Sequence, residues 1–176
     1  QYKKLERLSK KSEHDFPDDF YINGAHVCIS LILERDTIKG NKYFEKCKSI
    51  LRDKKLSDAD IASNLALFFS QVGLPEKAEG YYRQALTLEP GNPVKMNALA
   101  YMLIDNDRNI NEGMELVDKA LAVSSDDYNY LHTKGRGLYK QGKYKEALDV
   151  LQKSWALRMK NAIYDHEAFF HLEAAK

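Results

Sequence analysis

Gly137 to Lys143 spells G-x-x-x-x-G-K, one residue short of the loop that cradles phosphates in nucleotide-binding proteins. That chemistry needs a strand before the loop, a helix N-terminus at the phosphates and a Ser or Thr hydroxyl for magnesium. Here a helical pattern precedes the loop and Tyr144 stands where the hydroxyl residue belongs, so nucleotide binding is not expected. Asp105, Asp107 and Asn109 alternate like the opening of a calcium loop, but Ile110 and Leu116 occupy the places that require Gly and Glu. A polar turn between helices explains them better, because Asp and Asn are turn and cap residues. His14, His26, His132, His166 and His171 contain no i, i+4 pair, and none adjoins a cysteine, so the common zinc spacings within one helix are missing. Cys28 and Cys47 are too few for a disulfide scaffold and fall at small-residue packing positions, where buried, reduced thiols are expected. No nucleophile elbow, Cys–His motif or carboxylate pair is present. The expectation is a non-enzyme with no catalytic residue, no cofactor and no metal.

Composition narrows the partners. The 176 residues carry 27 Lys+Arg against 26 Asp+Glu, a formal net charge of +1, so no global field recruits nucleic acid or an anionic membrane. Lysines and arginines do gather between Lys39 and Lys55, but only Tyr43 and Phe44 interleave them. A solvated helix face is the expected role, and no nucleic-acid partner is expected. No apolar run approaches the roughly 20 residues needed to span a bilayer. The first residue is Gln1 rather than Met, which suggests a processed or excised piece.

The elements that position these residues show themselves as a repeat. Ala62, Leu65, Ala66 and Phe69 fall at i, i+3, i+4 and i+7, one apolar helix face. Gly73 and Pro75 break it, then Ala78, Tyr82, Ala85 and Leu86 form a second face that Pro90 and Gly91 close. A shift of 34 residues lays Leu65, Ala66 and Phe69 on Leu99, Ala100 and Leu103. After a one-residue insertion around Arg108–Asn111, Gly113, Val117, Ala120 and Leu121 repeat the second face. A further shift of 35 from Ala100 reaches Gly135, followed by Leu138, Gly142, Tyr144, Ala147, Leu151 and Trp155. Val27, Cys28, Leu31, Gly40, Phe44 and Cys47 give a looser upstream copy. Antiparallel helices approach closely only where side chains are small, so Ala66/Ala78, Ala100/Gly113 and Gly135/Ala147 are the expected hairpin crossings.

The stretches NLALFFSQVGLPEKAEGYYRQALTLEPGNP and GLYKQGKYKEALDVLQKSWAL resemble the tetratricopeptide repeat, with its Leu-Gly, Tyr, Ala, aromatic, Ala and Pro pattern. Ala62 and Met96 depart from it at the first aromatic position, Lys134 stands where Leu is usual, and no Pro ends the third repeat. The resemblance implies an all-α fold, a right-handed α-solenoid of antiparallel helix hairpins. Its expected divisions are a trailing helix over 1–20, a degenerate hairpin over 21–58, repeats over 59–92, 93–127 and 128–161, and a capping or truncated helix over 162–176. Phe169 and Leu172 of that last helix are expected to pack back on the third repeat.

The resemblance also implies a non-catalytic scaffold that binds a protein or peptide in the groove lined by each repeat's first helix. Helical phase assigns to that groove Asn64 and Leu67, then Asn97 and Tyr101, then His132, Arg136 and Tyr139. Amides suit a peptide backbone, tyrosines bury a side chain, and Arg136 suits a carboxylate. Some family members grip the terminal carboxylate of heat-shock chaperones with lysine and arginine at positions held here by Ser63, Asn129 and Thr133, so that role is not expected. A regulatory or substrate-presenting region of a larger enzyme or envelope-associated protein is the alternative. Unfinished array ends also suit self-association. Similar repeats occur in bacterial multi-repeat proteins, both cytoplasmic and exported.

Overall fold

The computed structural model describes residues 7, 11–12, 14–160 and 166–175. Described in chain order are α1 (Phe20–Cys28), a π-helical turn (Ile29–Leu33), α2 (Thr37–Asp53), α3 (Asp58–Gln71), α4 (Pro75–Leu88), α5 (Pro93–Asp105), α6 (Ile110–Val123), α7 (Tyr128–Lys140), α8 (Tyr144–Lys160) and α9 (His166–Ala174). There is no strand among the described residues, and the architecture is all-α. Two compact units emerge, 1–64 and 65–176, with the boundary inside α3. Half of the stretch expected as a trailing helix over 1–20 lies outside the described residues.

In the first unit, α1 packs on α2. Asp19 and Asp36 start them by accepting backbone N–H bonds from Ile22 and Lys39, which satisfies donors that a helix start leaves over. Gly40 is needed for contact: a Cβ there would lie 2.5 Å from Leu31 Cδ2. His26 stacks on Tyr43 at 4.5 Å. Cys47 is buried and its thiol faces the Phe20 carbonyl at 3.7 Å. Burial, aided by the nearby Cys28, pushes the Cys47 thiol up to about 12, so it is a poor nucleophile. Cys28 is half-buried, and neither cysteine is in a disulfide.

The second unit stacks hairpins. α5 pairs with α6 and α7 with α8, while α4–α5, α6–α7 and α5–α7 contacts join successive hairpins. Asn92, Asn109 and Asp127 cap α5, α6 and α7. Pro75 and Pro93 begin α4 and α5, where a missing N–H costs nothing. Ala78, Ala100 and Ala147 are fully buried at the expected crossings, and a Cβ on Gly135 would lie 2.6 Å from Leu151 Cγ. Arg83 of α4 clasps Glu112 of α6 at 2.6 and 2.8 Å, which holds the Glu112 carboxyl below its usual range. These pairs are solvent-exposed, so they align the hairpins while apolar burial holds them.

Gly73 and Gly142 turn the first and third hairpins with φ of 75° and 76°, and Asp107 takes the equivalent place in the second with φ 52°. A Cβ on Gly142 would meet nothing within 4 Å. Gly142→Ala is therefore expected to cost only the left-handed backbone penalty, about 1 kcal/mol in a denaturant melt. An unchanged midpoint would show that this turn relaxes freely.

Candidate functional site

One cavity of about 330 Å³ opens on the first-helix side of the second unit. α5 contributes Val94, Asn97 and Tyr101; the start of α7 contributes Asn129, Tyr130, His132 and Thr133; Arg158 of α8 and Glu167 of α9 complete it. Helical spacing explains the first two sets, since residues four apart share a face. The side-chain oxygen of Asn97 is buried and has no hydrogen-bond partner among the described residues. A buried acceptor left so costs about 1–3 kcal/mol, and an N–H brought into the cavity would recover it.

Tyr101 donates its hydroxyl proton to the Glu167 carboxylate. Burial, then that bond, pushes the phenol far above its ordinary range, so it remains a donor at neutral pH. His132 is 7% exposed, and its Nε2 lies 2.7 Å from Nδ1 of His171. One ring donates there and the other must be neutral to accept. Tyr101, His132 and His171 form a ladder of rings, with centroids 6.2 and 4.9 Å apart. Arg158 is 5% exposed, donates to Asn129 Oδ1 at 3.1 Å and lies over the Tyr128 ring at 4.7 Å. The result is a cavity with a fixed cation, amides and an aromatic wall, suited to polar recognition. No group of three or more His, Cys, Asp or Glu that could hold a metal occurs among the described residues.

Of the residues assigned to the groove by phase, Asn97, Tyr101 and His132 come together here. Arg136 sits one turn beyond His132 but is occupied, its Nε and Nη2 donating to Asp105 Oδ1 at 2.8 and 2.6 Å. Tyr139 packs with the cluster of Leu151, Leu172 and Ala175 instead. Leu67 is 45% exposed and does not line the cavity. Asn64, in the first unit, donates to the Asp60 carbonyl on its own helix at 2.8 Å. Sequence phase missed Asn129, Arg158 and Glu167. A hint to Arg158 was present: with no Pro closing the third repeat, α8 runs 17 residues against 14 for α4 and α6, and Arg158 lies on the extension.

The stacked antiparallel hairpins of the second unit define an α-solenoid. Residues 62–94 and 129–159 match sequence models of the tetratricopeptide repeat, so the chain carries repeats of that type. Such repeats are in general non-catalytic scaffolds for contacts between proteins. A TPR repeat-containing protein of Pseudomonas aeruginosa is 27% identical over 147 residues, covering 80% of this chain and 24% of that protein. The chain thus spans about a quarter of the length of the curated relative it matches.

Solved structures agree on the fold. The Sgt2 TPR domain from Aspergillus fumigatus superposes with a TM-score of 0.59 at 18% identity, over 68% of this chain and 78% of that one. YrrB, described as a TPR protein with an unusual peptide-binding site, gives 0.58 at 15% identity over 98% and 84%. MamA gives 0.57 at 13% identity over 89% and 80%. No helix among the described residues is long and apolar enough to cross a membrane.

Proposed function

We propose that this chain is a docking module that receives a peptide or protein segment in the cavity between α5, α7 and the end of α8. The observation that carries this is the buried, unpartnered Asn97 oxygen beside Tyr101, His132 and the 5%-exposed Arg158 in one opening. In this reading Asn97 accepts a backbone N–H, Tyr101 and His132 supply ring surface and donors, and Arg158 with Asn129 orients an acceptor group. Arg136 and Tyr139 continue the contact surface along α7, and Leu67 is its candidate on α3. The likeness to a protein described as binding peptide supports a peptide-sized ligand, at the level of fold.

The test is selection of binders from a random peptide library, followed by fluorescence anisotropy. Tyr101→Ala is expected to weaken a selected peptide at least about tenfold, as loss of a central aromatic contact does. Selected peptides that bind Tyr101→Ala as tightly as wild type would remove this cavity from the function.

A further inference from the structure

Resting on that reading, we infer that α9 is a resident occupant of the docking site, and that the segment the site takes from a partner is an acidic amphipathic helix that displaces it. The first ground is where α9 makes its polar contacts. Glu167 and His171 lie four residues apart, on one helix face. Glu167 accepts the Tyr101 hydroxyl from α5, and His171 shares a proton with His132 of α7. Both partners are residues that helical phase alone assigned to ligand binding. The carboxylate enters a cavity whose fixed cation is Arg158, and the other acid in its lining, Asp127, is already spent capping α7. The site thereby shows which chemistry it accepts: a carboxylate, with an imidazole one turn later against the ring ladder.

The second ground is how lightly α9 is held. It has nine residues, too few to be a stable helix by itself, so its order depends on docking. Its buried apolar contribution is Leu172, joined by Ala175 just beyond its end, against Leu151, Leu148, Tyr139 and Trp155. Phe169 sets its ring 5.6 Å from that of Trp155 but stays 38% exposed, and Phe170 is 58% exposed. A short helix with one large buried anchor belongs to the low-stability end of a structure, where local opening is frequent. Occupancy in cis lowers apparent affinity in trans by the fraction of molecules that are open. A competing acidic helix therefore gains the cavity by capturing that open fraction.

The experiment titrates a fluorescein-labelled synthetic peptide of residues 166–175 into the full chain and into its Glu167→Ala/His171→Ala variant. Hydrogen exchange of both proteins is followed in parallel. The variant, with its own helix loosened, is expected to bind the peptide about tenfold more tightly than wild type. Its α9 amides exchange faster, while those of α7 and α8 keep their protection. Should α7 and α8 lose protection as well, Glu167→Ala alone takes the variant's place, because that side chain is exposed and leaves Leu172 seated.

Adding Tyr101→Phe to the variant should return the affinity toward the wild-type value. Equal affinity of the two proteins, no binding to the variant, or unchanged α9 exchange would each overturn the inference. If library-selected peptides still require Tyr101 in that event, the docking site stands and only its self-occupation fails. If they do not, the docking site itself fails.

Discussion

Leu103→Ala is expected to lower the unfolding free energy of this chain by about 3 kcal/mol, within the usual 2–5 for a buried Leu→Ala change. Leu103 is 0% exposed in α5, at the repeat position filled by Phe69 and Leu138, which are 2% and 5% exposed. Each of these large side chains fills space that the small residues of the crossings leave between hairpins. Removing one forfeits the transfer free energy and leaves a void, and the void cannot close cheaply. Ala100 and Gly113 beside it are already at minimum size, and the helix backbones are in contact there. Leu67→Ala is the matched control: the same atoms are lost from a side chain 45% exposed, and the change should stay within about 0.5 kcal/mol. Urea melts with unchanged slopes read both. A cost below 1 kcal/mol at Leu103 would mean that the hairpins close over the void, which stacked rigid helices should not do.

The fold was legible because its determinants are local. Apolar spacing gave the helices, Gly73, Pro75, Pro93 and Gly142 gave their ends, and small residues at 34–35-residue intervals gave the crossings. The second hairpin's turn was read from its polar residues alone, since Asp107 rather than Gly takes the positive φ there, and after the inserted residue α6 starts at Ile110 behind the Asn109 cap. The candidate site was legible only in part. Helical phase brings Asn97, Tyr101 and His132 to one side of their helices, which is a property of each helix alone. Whether a side chain on that side is available depends on its neighbours one repeat away. Arg136 has the right phase, yet Asp105, 31 residues earlier on the preceding first helix, already accepts from its Nε and Nη2. Arg158 and Glu167 lie outside what the repeat period can assign. Arg158 enters the cavity from the extended end of α8 and Glu167 from α9. Neither position recurs in the preceding repeats.

Gly113→Leu should be the sharpest test of the crossings, with an expected loss of roughly 3 kcal/mol. Two effects oppose each other at a helical glycine. Any Cβ favours the helix over the unfolded chain by roughly 1 kcal/mol, because glycine loses most entropy on folding. At Gly113 a Cβ would lie 2.7 Å from Ile104 Cγ1 and 3.1 Å from the Ala100 carbonyl oxygen. Ile104 is 1% exposed and β-branched, so it has no free rotamer to move into. Ala100 presents backbone, which moves only with its helix. Steric cost therefore exceeds the propensity gain, and a leucine, which must place three more carbons in the same gap, forces α5 and α6 apart. Gly80 isolates the propensity term: it lies exposed within α4, where a Cβ meets nothing within 4 Å. Gly80→Ala should accordingly raise stability by about 0.5–1 kcal/mol in the same melts. Opposite signs at these two glycines would establish that close approach, and not helix propensity, selects glycine at the crossing. A neutral Gly113→Leu would instead place the nearest contact of α5 and α6 elsewhere along their length.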